Sequence, residues 1–478
     1  MTKRVSIITI GIILVLLLAA PFAIGMLTES NMREQLDSYY TNDLFEGRVA
    51  DYDRGWFSST ARIEFRLSQR YIEQFEAMAQ AGGMGAALSG FNIPIVVEIA
   101  HGPVLTGETA GIGLVAVKAY ADPQSPMIQI AQTFLGVPNL FEFRGRSGFG
   151  TGFVFEGGIP EIRGAISDFG YDFSGVDLNG VARLGDLEFE AVLGNLALQS
   201  PFASVIVDAL TVTGDYERRP GQLMLGTSQV NLARVVFVNP LFGAEPAFAA
   251  DKIGLSGTFS ENGAGTHFDL EALFTLERVA VPDVLEIRDA ALGLRIGHLD
   301  STAVDEIYRI AGEIDPLASD ATVGALLRPS FDRIVAGSPE LALEPVRFTM
   351  PDGSLDARVS VVLDGTALPN GSVSDLENIQ LAMSALTAEA DITVDKPLAR
   401  LLAGLVVAEN LPPMTLGADG QPVPPTEREA MIAAQTSQML TGFTTLGILS
   451  DTGDSYRCLL KIEDGAATAN GQPVPFLF

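Results

Sequence analysis

Alternation of apolar and polar side chains is the feature that most constrains how this chain folds. The clearest example is THFDLEALFTLE, at residues 266–277, where every second side chain is apolar and those between are mostly charged or polar. Successive side chains of a strand point to opposite faces, so this pattern predicts a sheet with one buried and one solvated face. Such two-sided strands are typical of antiparallel sheets, because parallel sheets are buried on both faces.

The same alternation recurs between about residues 92 and 300 and again at residues 355–363, in runs separated by Gly, Asn, Asp and Pro. Helices are predicted to flank or interrupt the strands at residues 70–89, 301–312, 317–336, 396–408 and 425–445. Near the end, Asp464-Gly465 and Asn470-Gly471 have the composition of hairpin turns. We therefore expect an α+β fold dominated by large antiparallel sheets with flanking helices.

An uncharged run precedes this β-rich body. Residues 5–28 contain no Asp, Glu, Lys or Arg, and a helix of that length crosses a hydrocarbon layer of about 30 Å. Lys3 and Arg4 precede the run, and positive charge favours the cytoplasmic side. Cleavage after Ala23 is disfavoured, because Pro21 stands three positions before the cut. We expect an uncleaved, single-pass anchor in a bacterial inner membrane and a body in the periplasm.

The changes of pattern divide the chain into four segments. We predict a cytoplasmic tip and transmembrane anchor over residues 1–28, a stem helix over 29–46, a mainly antiparallel β region over 47–300, and a mixed region of helices and strands that continues the same body over 301–478. The stem is predicted from the helical spacing of its apolar residues.

Composition removes several classes of function. The chain has 59 acidic and 30 basic residues, for a net charge of −29, so nucleic acid is not an expected partner, because phosphate contacts need cationic side chains. The single cysteine, Cys458, excludes an intrachain disulfide. With three histidines in the chain, a metal centre of Cys or His is not expected either. We predict no metal and no cofactor.

The sequence contains no convincing catalytic motif. GRSGF, at residues 145–149, lacks the final glycine of a nucleophile elbow. GIGLVA, at residues 111–116, continues into a strand rather than a helix, so its glycines are expected to serve packing. His101 could act as a base, but a histidine hydrogen bonded at a turn is the simpler interpretation of HGP. We predict that the protein is not an enzyme.

The stretch YDRGWFSS, at residues 52–59, contains the single tryptophan of the chain. Gly55 suits a turn that requires positive φ, and strand parity places Phe57 on the apolar face and Trp56 on the polar one. A stem of about 18 helical residues spans roughly 27 Å, so Trp56 would reach the bilayer surface only if the stem lay flat. We therefore expect a hairpin corner in which Trp56 packs beneath a helix and Arg54 binds nearby backbone or a carboxylate.

An N-terminal anchor, YDRGWFSS, HGP and a closing EDGAATANGQPV, in this order, resemble the YdgA-like family of bacterial envelope proteins, domain of unknown function 945. The resemblance implies an inner-membrane and periplasmic protein of a Gram-negative bacterium, without an established activity or catalytic residues. The motif positions that it marks are taken as structural: Tyr52, Arg54, Gly55, Trp56, Phe57, Ser58, Ser59, His101, Gly102 and Pro103.

Two functions are compatible with these observations. In the first, a non-catalytic binding or scaffold protein holds a lipid acyl chain or an envelope partner protein on an apolar sheet face or groove, unless helices cover that face completely. In the second, an envelope hydrolase has a site near His101. An uncovered apolar surface favours binding, whereas a polar cleft that converges on His101 favours catalysis.

Overall fold

The computed structural model describes residues 26, 28–30, 32–33, 45–68, 71–72, 92–105, 111–150, 152–219, 223–239, 243, 245–262, 264–313, 320–411 and 424–474. The predicted anchor, except for two of its last residues, lies outside this set, as do most of the stem and most of the helix predicted at 70–89. None of the described helices is long and apolar enough to span a membrane. The chain divides into two compact units, Met1–Asp215 and Tyr216–Phe478.

The described part of the first unit contains antiparallel strands, the helix α1 (Pro126–Leu135) and helical residues at 28–30, 32–33 and 71–72. Its strands are β1 (Phe45–Arg54), β2 (Ser58–Leu67), β3 (Asn92–His101), β4 (Val104–Leu105), β5 (Gly111–Ile112), β6 (Val115–Ala121), β7 (Glu142–Ser147), β8 (Gly152–Ile159), β9 (Ile162–Ile166), β10 (Phe169–Phe173), β11 (Val176–Arg183) and β12 (Asp186–Gln199). They pair in the order β1-β2-β3-β6-β7-β8-β11-β12-β10-β9, and β4 pairs with β5. The next strand, β13 (Ser204–Arg218), runs through the division between the units.

The register in this unit brings apolar residues of successive strands onto one face. One row, from β1 to β12, contains Tyr52, Ala61, Val97, Ala119, Phe143, Gly157, Leu178 and Ala191. The opposite face carries charged residues such as Arg62 and Arg144, whose side chains are 44% and 47% exposed. The alternation in the sequence thus places apolar side chains on one face of the sheet and polar side chains on the other, as predicted.

Glycines on the apolar face make room for phenylalanine rings of neighbouring strands. A Cβ at Gly145 would overlap the ring of Phe153, and a Cβ at Gly180 would overlap the ring of Phe155. The ring of Phe155 in turn stacks on Phe143, with centroids 5.8 Å apart. Such cross-strand cover compensates for the missing side chain of a strand glycine. Gly145 of GRSGF therefore has a packing role.

The second unit has longer antiparallel strands and more helices. Its strands are β14 (Met224–Val238), β15 (Pro246–Glu261), β16 (His267–Val281), β17 (Leu285–Asp300), β18 (Glu340–Met350), β19 (Gly353–Leu363), β20 (Leu386–Asp395), β21 (Ser450–Asp451), β22 (Ser455–Glu463), β23 (Ala466–Ala469) and β24 (Gln472–Pro473). Its α-helices are α2 (Ser301–Glu313), α3 (Asp320–Ala336), α4 (Ile379–Ala385), α5 (Lys396–Asn410) and α6 (Pro425–Thr445). Successive strands pair from β14 to β20, then β22, β23 and β24, while β21 pairs with β22.

These elements confirm the predicted fold dominated by antiparallel strands. The helices predicted at 301–312, 317–336, 396–408 and 425–445 correspond to α2, α3, α5 and α6. Both predicted hairpin turns are present, because Asp464-Gly465 and Asn470-Gly471 have positive φ at both residues, as tight hairpins require. Helix α1 was not predicted, although Pro126 at its start and the left-handed Gly136 at its end are ordinary helix boundary signals.

Candidate functional site

The motif YDRGWFSS forms the tip of the hairpin between β1 and β2. Arg54 pairs with Ser59 at the last rung of the ladder, and the N–H of Gly55 donates to the carbonyl of Ser58 at 2.8 Å. Gly55 does not adopt the expected positive φ. It is required for a different reason, since a Cβ there would lie 2.7 Å from the Ser58 carbonyl oxygen. The predicted hairpin corner is confirmed.

The motif HGP ends β3 beside this hairpin tip. The N–H of His101 donates to the carbonyl of Phe57 at 2.9 Å, which extends the β2–β3 ladder by one rung. Gly102 has a φ of 113°, a conformation that favours glycine, and its N–H donates to the carbonyl of Leu114 at 2.9 Å. The carbonyl of Pro103 accepts from the N–H of Gly113 at 3.3 Å. The motif therefore turns the chain from β3 into the short strand β4.

The two motifs meet in a buried hydrogen bond. The Oγ of Ser59 lies 3.0 Å from Nε2 of His101, and these residues are 3% and 0% exposed. Strand parity places both on the apolar face, beside Ala61 and Ile99. Polar groups taken out of water need hydrogen-bond partners, and here Ser59 Oγ and His101 Nε2 satisfy each other. The prediction that His101 is a hydrogen-bonded residue at a turn is confirmed.

Tyr52 extends this contact to a third polar side chain. It occupies the same apolar face, opposite Ala61, and packs against the cluster of Ala61, Ile63, Val97 and Ile99. Burial raises the pKa of the Tyr52 phenol above its ordinary value of 10.0, while a hydrogen bond with Ser59 acts in the opposite direction. Tyr52, which is half-buried, therefore joins the buried Ser59 and His101 in one polar group on the apolar face, which we call the buried polar trio.

The buried polar trio has the residue types of a nucleophile and a base. A serine hydroxyl within hydrogen-bond reach of an imidazole is the arrangement that activates serine in acyl transfer. Burial of both side chains opposes that use, because a substrate would have to displace the groups that cover this face to reach Ser59 Oγ. Within the described ranges, no group of three His, Cys, Asp or Glu side chains is arranged to hold a metal ion.

The hairpin tip differs from the prediction at Trp56. The tryptophan is 52% exposed and Phe57 is 40% exposed, so the expectation that Trp56 packs beneath a helix is wrong. Strand parity does not apply at these two residues, because they lie in the loop between β1 and β2. The prediction for Arg54 is confirmed, since its Nη1 lies 3.5 Å from Oε2 of Glu29.

The residues around Glu29 are the beginning of the predicted stem. Residues 28–30 and 32–33 are helical, and Arg33 Nη2 lies 3.1 Å from Glu29 Oε1 across one helical turn. Met32 packs against the apolar cluster of β2 and β3. The first helical turns after the uncharged run therefore lie against the β1–β2 hairpin.

The second unit contains an apolar face that extends over eight strands. Its central row, from β14 to β22, consists of Val230, Leu255, Phe274, Leu292, Val346, Ala357, Ile392 and Cys458. Helix α5 contacts β19, β20 and β22. It covers the apolar face, because Arg358 and Arg457 on the opposite face are 56% and 49% exposed, whereas the apolar side has Ala357 8% and Cys458 7% exposed.

The same row is uncovered on β15, β16 and β17. Leu255, Phe274 and Leu292 are cross-strand neighbours and are 49%, 37% and 47% exposed. Leu341, on the same face of β18, is 43% exposed. We call Leu255, Phe274 and Leu292 the open apolar strip. The predicted apolar face is therefore covered only in part. Helix α5 covers one end of the row and leaves this strip in solvent.

Ion pairs join neighbouring strands on the polar face of this sheet, opposite the apolar row. Asp391 on β20 accepts from Arg358 Nη2 at 3.1 Å and from Arg457 Nη2 at 2.8 Å. These guanidinium groups, Arg457 above all, hold the pKa of the Asp391 carboxyl below its ordinary value of 3.8. Arg295 and Glu340 form a similar bridge of 2.6 Å between β17 and β18. Opposite charges on neighbouring strands stabilise this face.

The family model described as "Bacterial protein of unknown function (DUF945)" matches residues 1–476. The chain belongs to this family. The match confirms the resemblance that the motifs indicated. No curated protein and no solved structure matches the chain. The DUF945 description names no activity.

The predicted positions of this DUF945 chain fall into two groups. Tyr52, Ser59 and His101 come together as the buried polar trio, and Gly55, Ser58, Gly102 and Pro103 shape the two turns beside it. Arg54, Trp56 and Phe57 lie at the exposed tip. The open apolar strip was not among the predicted site residues, because alternation identifies an apolar face and carries no signal for what covers it.

Proposed function

We propose that this DUF945 protein is a non-catalytic lipid-binding protein, anchored in the bacterial inner membrane with its body in the periplasm. The observation that carries the proposal is the open apolar strip, in which three adjacent strands expose Leu255, Phe274 and Leu292 to solvent. Large contiguous patches of exposed apolar surface are uncommon on soluble proteins and mark sites of binding.

The shape of the strip favours an acyl chain. Neighbouring strands are about 4.8 Å apart, so the three side chains make a band roughly 10 Å long across the sheet. Half-buried Val230 and Val346 continue the row on either side. Each methylene of an acyl chain removed from water contributes about 0.8 kcal/mol. A row of aliphatic and aromatic side chains without charge offers such a chain contact along its length.

The uncharged run at residues 5–28 supports the proposed location. A helix of this length fits the hydrocarbon layer, and Lys3 and Arg4 before it favour a cytoplasmic N-terminus. An anchor would keep the body beside a source of lipid. The alternative function, an envelope hydrolase at His101, has the Ser59–His101 contact in its favour and the burial of both side chains against it.

The test compares two neighbouring residues on opposite faces of β16. Phe274 lies in the strip and is 37% exposed, while Leu273 lies on the polar face and is 36% exposed. Full-length protein in lipid nanodiscs is irradiated with a phospholipid that carries a photoreactive diazirine in its acyl chain, and the adducts are mapped by mass spectrometry. We expect adducts on β15–β17 that decrease several-fold in Phe274→Asp and not in Leu273→Asp.

Each other outcome has a definite meaning. Equal labelling of the two variants, or no adducts on β15–β17 in the unmodified protein, contradicts acyl-chain binding at the strip. Placing a photoreactive phenylalanine analogue at position 274 in cells tests for a protein partner. A protein adduct there, without lipid adducts, replaces the lipid by an envelope protein. Ester hydrolysis that disappears in Ser59→Ala would support the hydrolase instead.

A further inference from the structure

The tip of the β1–β2 hairpin lies beside the point where the chain would leave the membrane. The uncharged run ends at Thr28, and Glu29 is the next residue. Oε2 of Glu29 lies 3.5 Å from Nη1 of Arg54, the last residue of β1. Since Arg54 is two residues before Trp56, the hairpin tip and the end of the run are close in space. The sequence-based distance of roughly 27 Å, from a stem that extends away from the bilayer, does not hold for this tip.

Two of the residues exposed at this tip are aromatic. Trp56 is 52% exposed and Phe57 is 40% exposed, although both are large apolar side chains. Tryptophan is enriched where a protein meets the headgroup layer, because its ring is apolar and its N–H can still donate a hydrogen bond to water or lipid. Two adjacent exposed aromatic residues beside the end of a membrane segment therefore suit the lipid interface.

The charges around the tip limit how deeply the hairpin can insert into the bilayer. Arg54 and Arg33 both bind Glu29, so this side of the hairpin carries two cations and one anion. Asp53, next to Arg54, is also exposed. Carboxylates are costly to move into hydrocarbon, whereas guanidinium groups can face lipid phosphates. This charge arrangement suits the headgroup region and not the hydrocarbon layer.

We propose that the β1–β2 hairpin tip is a second membrane contact, in which Trp56 and Phe57 insert into the headgroup layer of the bilayer that holds the anchor. The proposal depends on the proposed anchor at residues 5–28. It gives the exposed aromatic residues of YDRGWFSS a role, and it would fix the first unit in one orientation on the membrane surface. A single flexible tether would leave that orientation free.

The chain contains one tryptophan, so fluorescence of the unmodified full-length protein, excited at a wavelength that tyrosine does not absorb, reports on the tip alone. In phospholipid vesicles, we expect Trp56 emission to be quenched by lipids brominated near the headgroup. Aqueous acrylamide should quench it several-fold less than it quenches an exposed control tryptophan. The control is Phe202→Trp in a Trp56→Phe background.

Phe202 is a suitable control because it is exposed and lies at the opposite end of the strands from the hairpin tip. Its exposure is 67%. The register places the first residues of β12 at the same end of the strands as the hairpin tip, and Phe202 follows the last residue of β12. The control tryptophan should be open to acrylamide and insensitive to brominated lipid.

Flotation of the vesicles separates failure of the anchor from failure of the hairpin contact. A full-length chain that does not float with vesicles overturns both the anchor and the hairpin contact. In a second outcome, the chain floats with the vesicles while Trp56 is as accessible to acrylamide as the control tryptophan and insensitive to brominated lipid. That result overturns the hairpin contact and is compatible with the anchor. Quenching of Trp56 by lipid brominated deep in the acyl chain and not near the headgroup contradicts the headgroup depth.

Discussion

The apolar faces of β2–β3 and of β15–β17 arise from the same alternation and have opposite surroundings. On β2 and β3, Ala61 and Ile99 are 0% and 1% exposed, and the face also contains two buried polar residues, Ser59 and His101. On β16 and β17, Phe274 and Leu292 are 37% and 47% exposed. The closed face tolerates polar side chains because they bind each other. The open one offers apolar side chains to a ligand.

The difference shows that one sequence pattern can serve stability in one region and recognition in another. A closed face contributes to folding through area removed from water and through dense packing. An open face forgoes much of that contribution. Substitutions that shorten apolar side chains should therefore separate the two regions by their effect on unfolding.

The largest expected effect is that of Ile99→Ala on the closed face. Removing a fully buried isoleucine side chain costs about 2–5 kcal/mol of unfolding free energy, because the cavity it leaves is only partly refilled. Leu292→Ala on the open face should cost under about 1 kcal/mol, since nearly half of that side chain already contacts water. Urea unfolding followed by far-ultraviolet circular dichroism measures both. Equal losses would remove the distinction between the two faces.

Ser59→Ala should have the next largest effect. The substitution removes the hydroxyl that the buried imidazole of His101 contacts at 3.0 Å, and leaving a buried polar group with one bond fewer costs about 1–3 kcal/mol. The double variant Ser59→Ala/His101→Leu replaces both partners by apolar groups and should lose less than the sum of the single variants. A strictly additive double variant would show that the two side chains are not coupled.

The ion pairs on the polar face of the sheet in the second unit should contribute least to the free energy of unfolding, and this contribution should depend on pH. The folded pKa of Asp391 is lowered, first by its hydrogen bond with Arg457. Its ionised form therefore stabilises the folded state fully above its unfolded pKa, near 3.8, and this contribution is lost as the pH falls through the lower folded pKa. Exposed partners keep the effect small.

Asp391→Asn should flatten this acidic part of the stability profile, measured as the urea midpoint between pH 5 and pH 2, roughly the range in which lowered aspartate pKa values act. Asp352→Asn, in the turn between β18 and β19, is the control. The assignment to Asp391 would be refuted by an unchanged profile in Asp391→Asn, or by the same change in the control.

Much of the fold could be predicted from the sequence, because strand alternation and turn composition act locally. The apolar row through Phe274 and Leu292 and the turn at Asn470-Gly471 follow from such local rules. The exposure of Trp56 could not be predicted, since parity does not extend into a hairpin loop. Helix α5 covers Cys458 and leaves Phe274 exposed. This difference could not be predicted either, because it depends on contacts between residues far apart in sequence.

The interlocking of glycines and phenylalanines in the first unit has an evolutionary consequence. The clearest pair is Gly145 and Phe153, because the three atoms nearest to a Cβ at Gly145 all belong to the Phe153 ring. At Gly180 the backbone carbonyl of Glu188 stands in the way as well as the Phe155 ring, so glycine is required there whatever residue faces it. A smaller residue in place of Phe153 would open a void above Gly145. Changes at these two positions should therefore compensate each other, so that relatives would have a residue larger than glycine at position 145 where the residue at position 153 is smaller than phenylalanine.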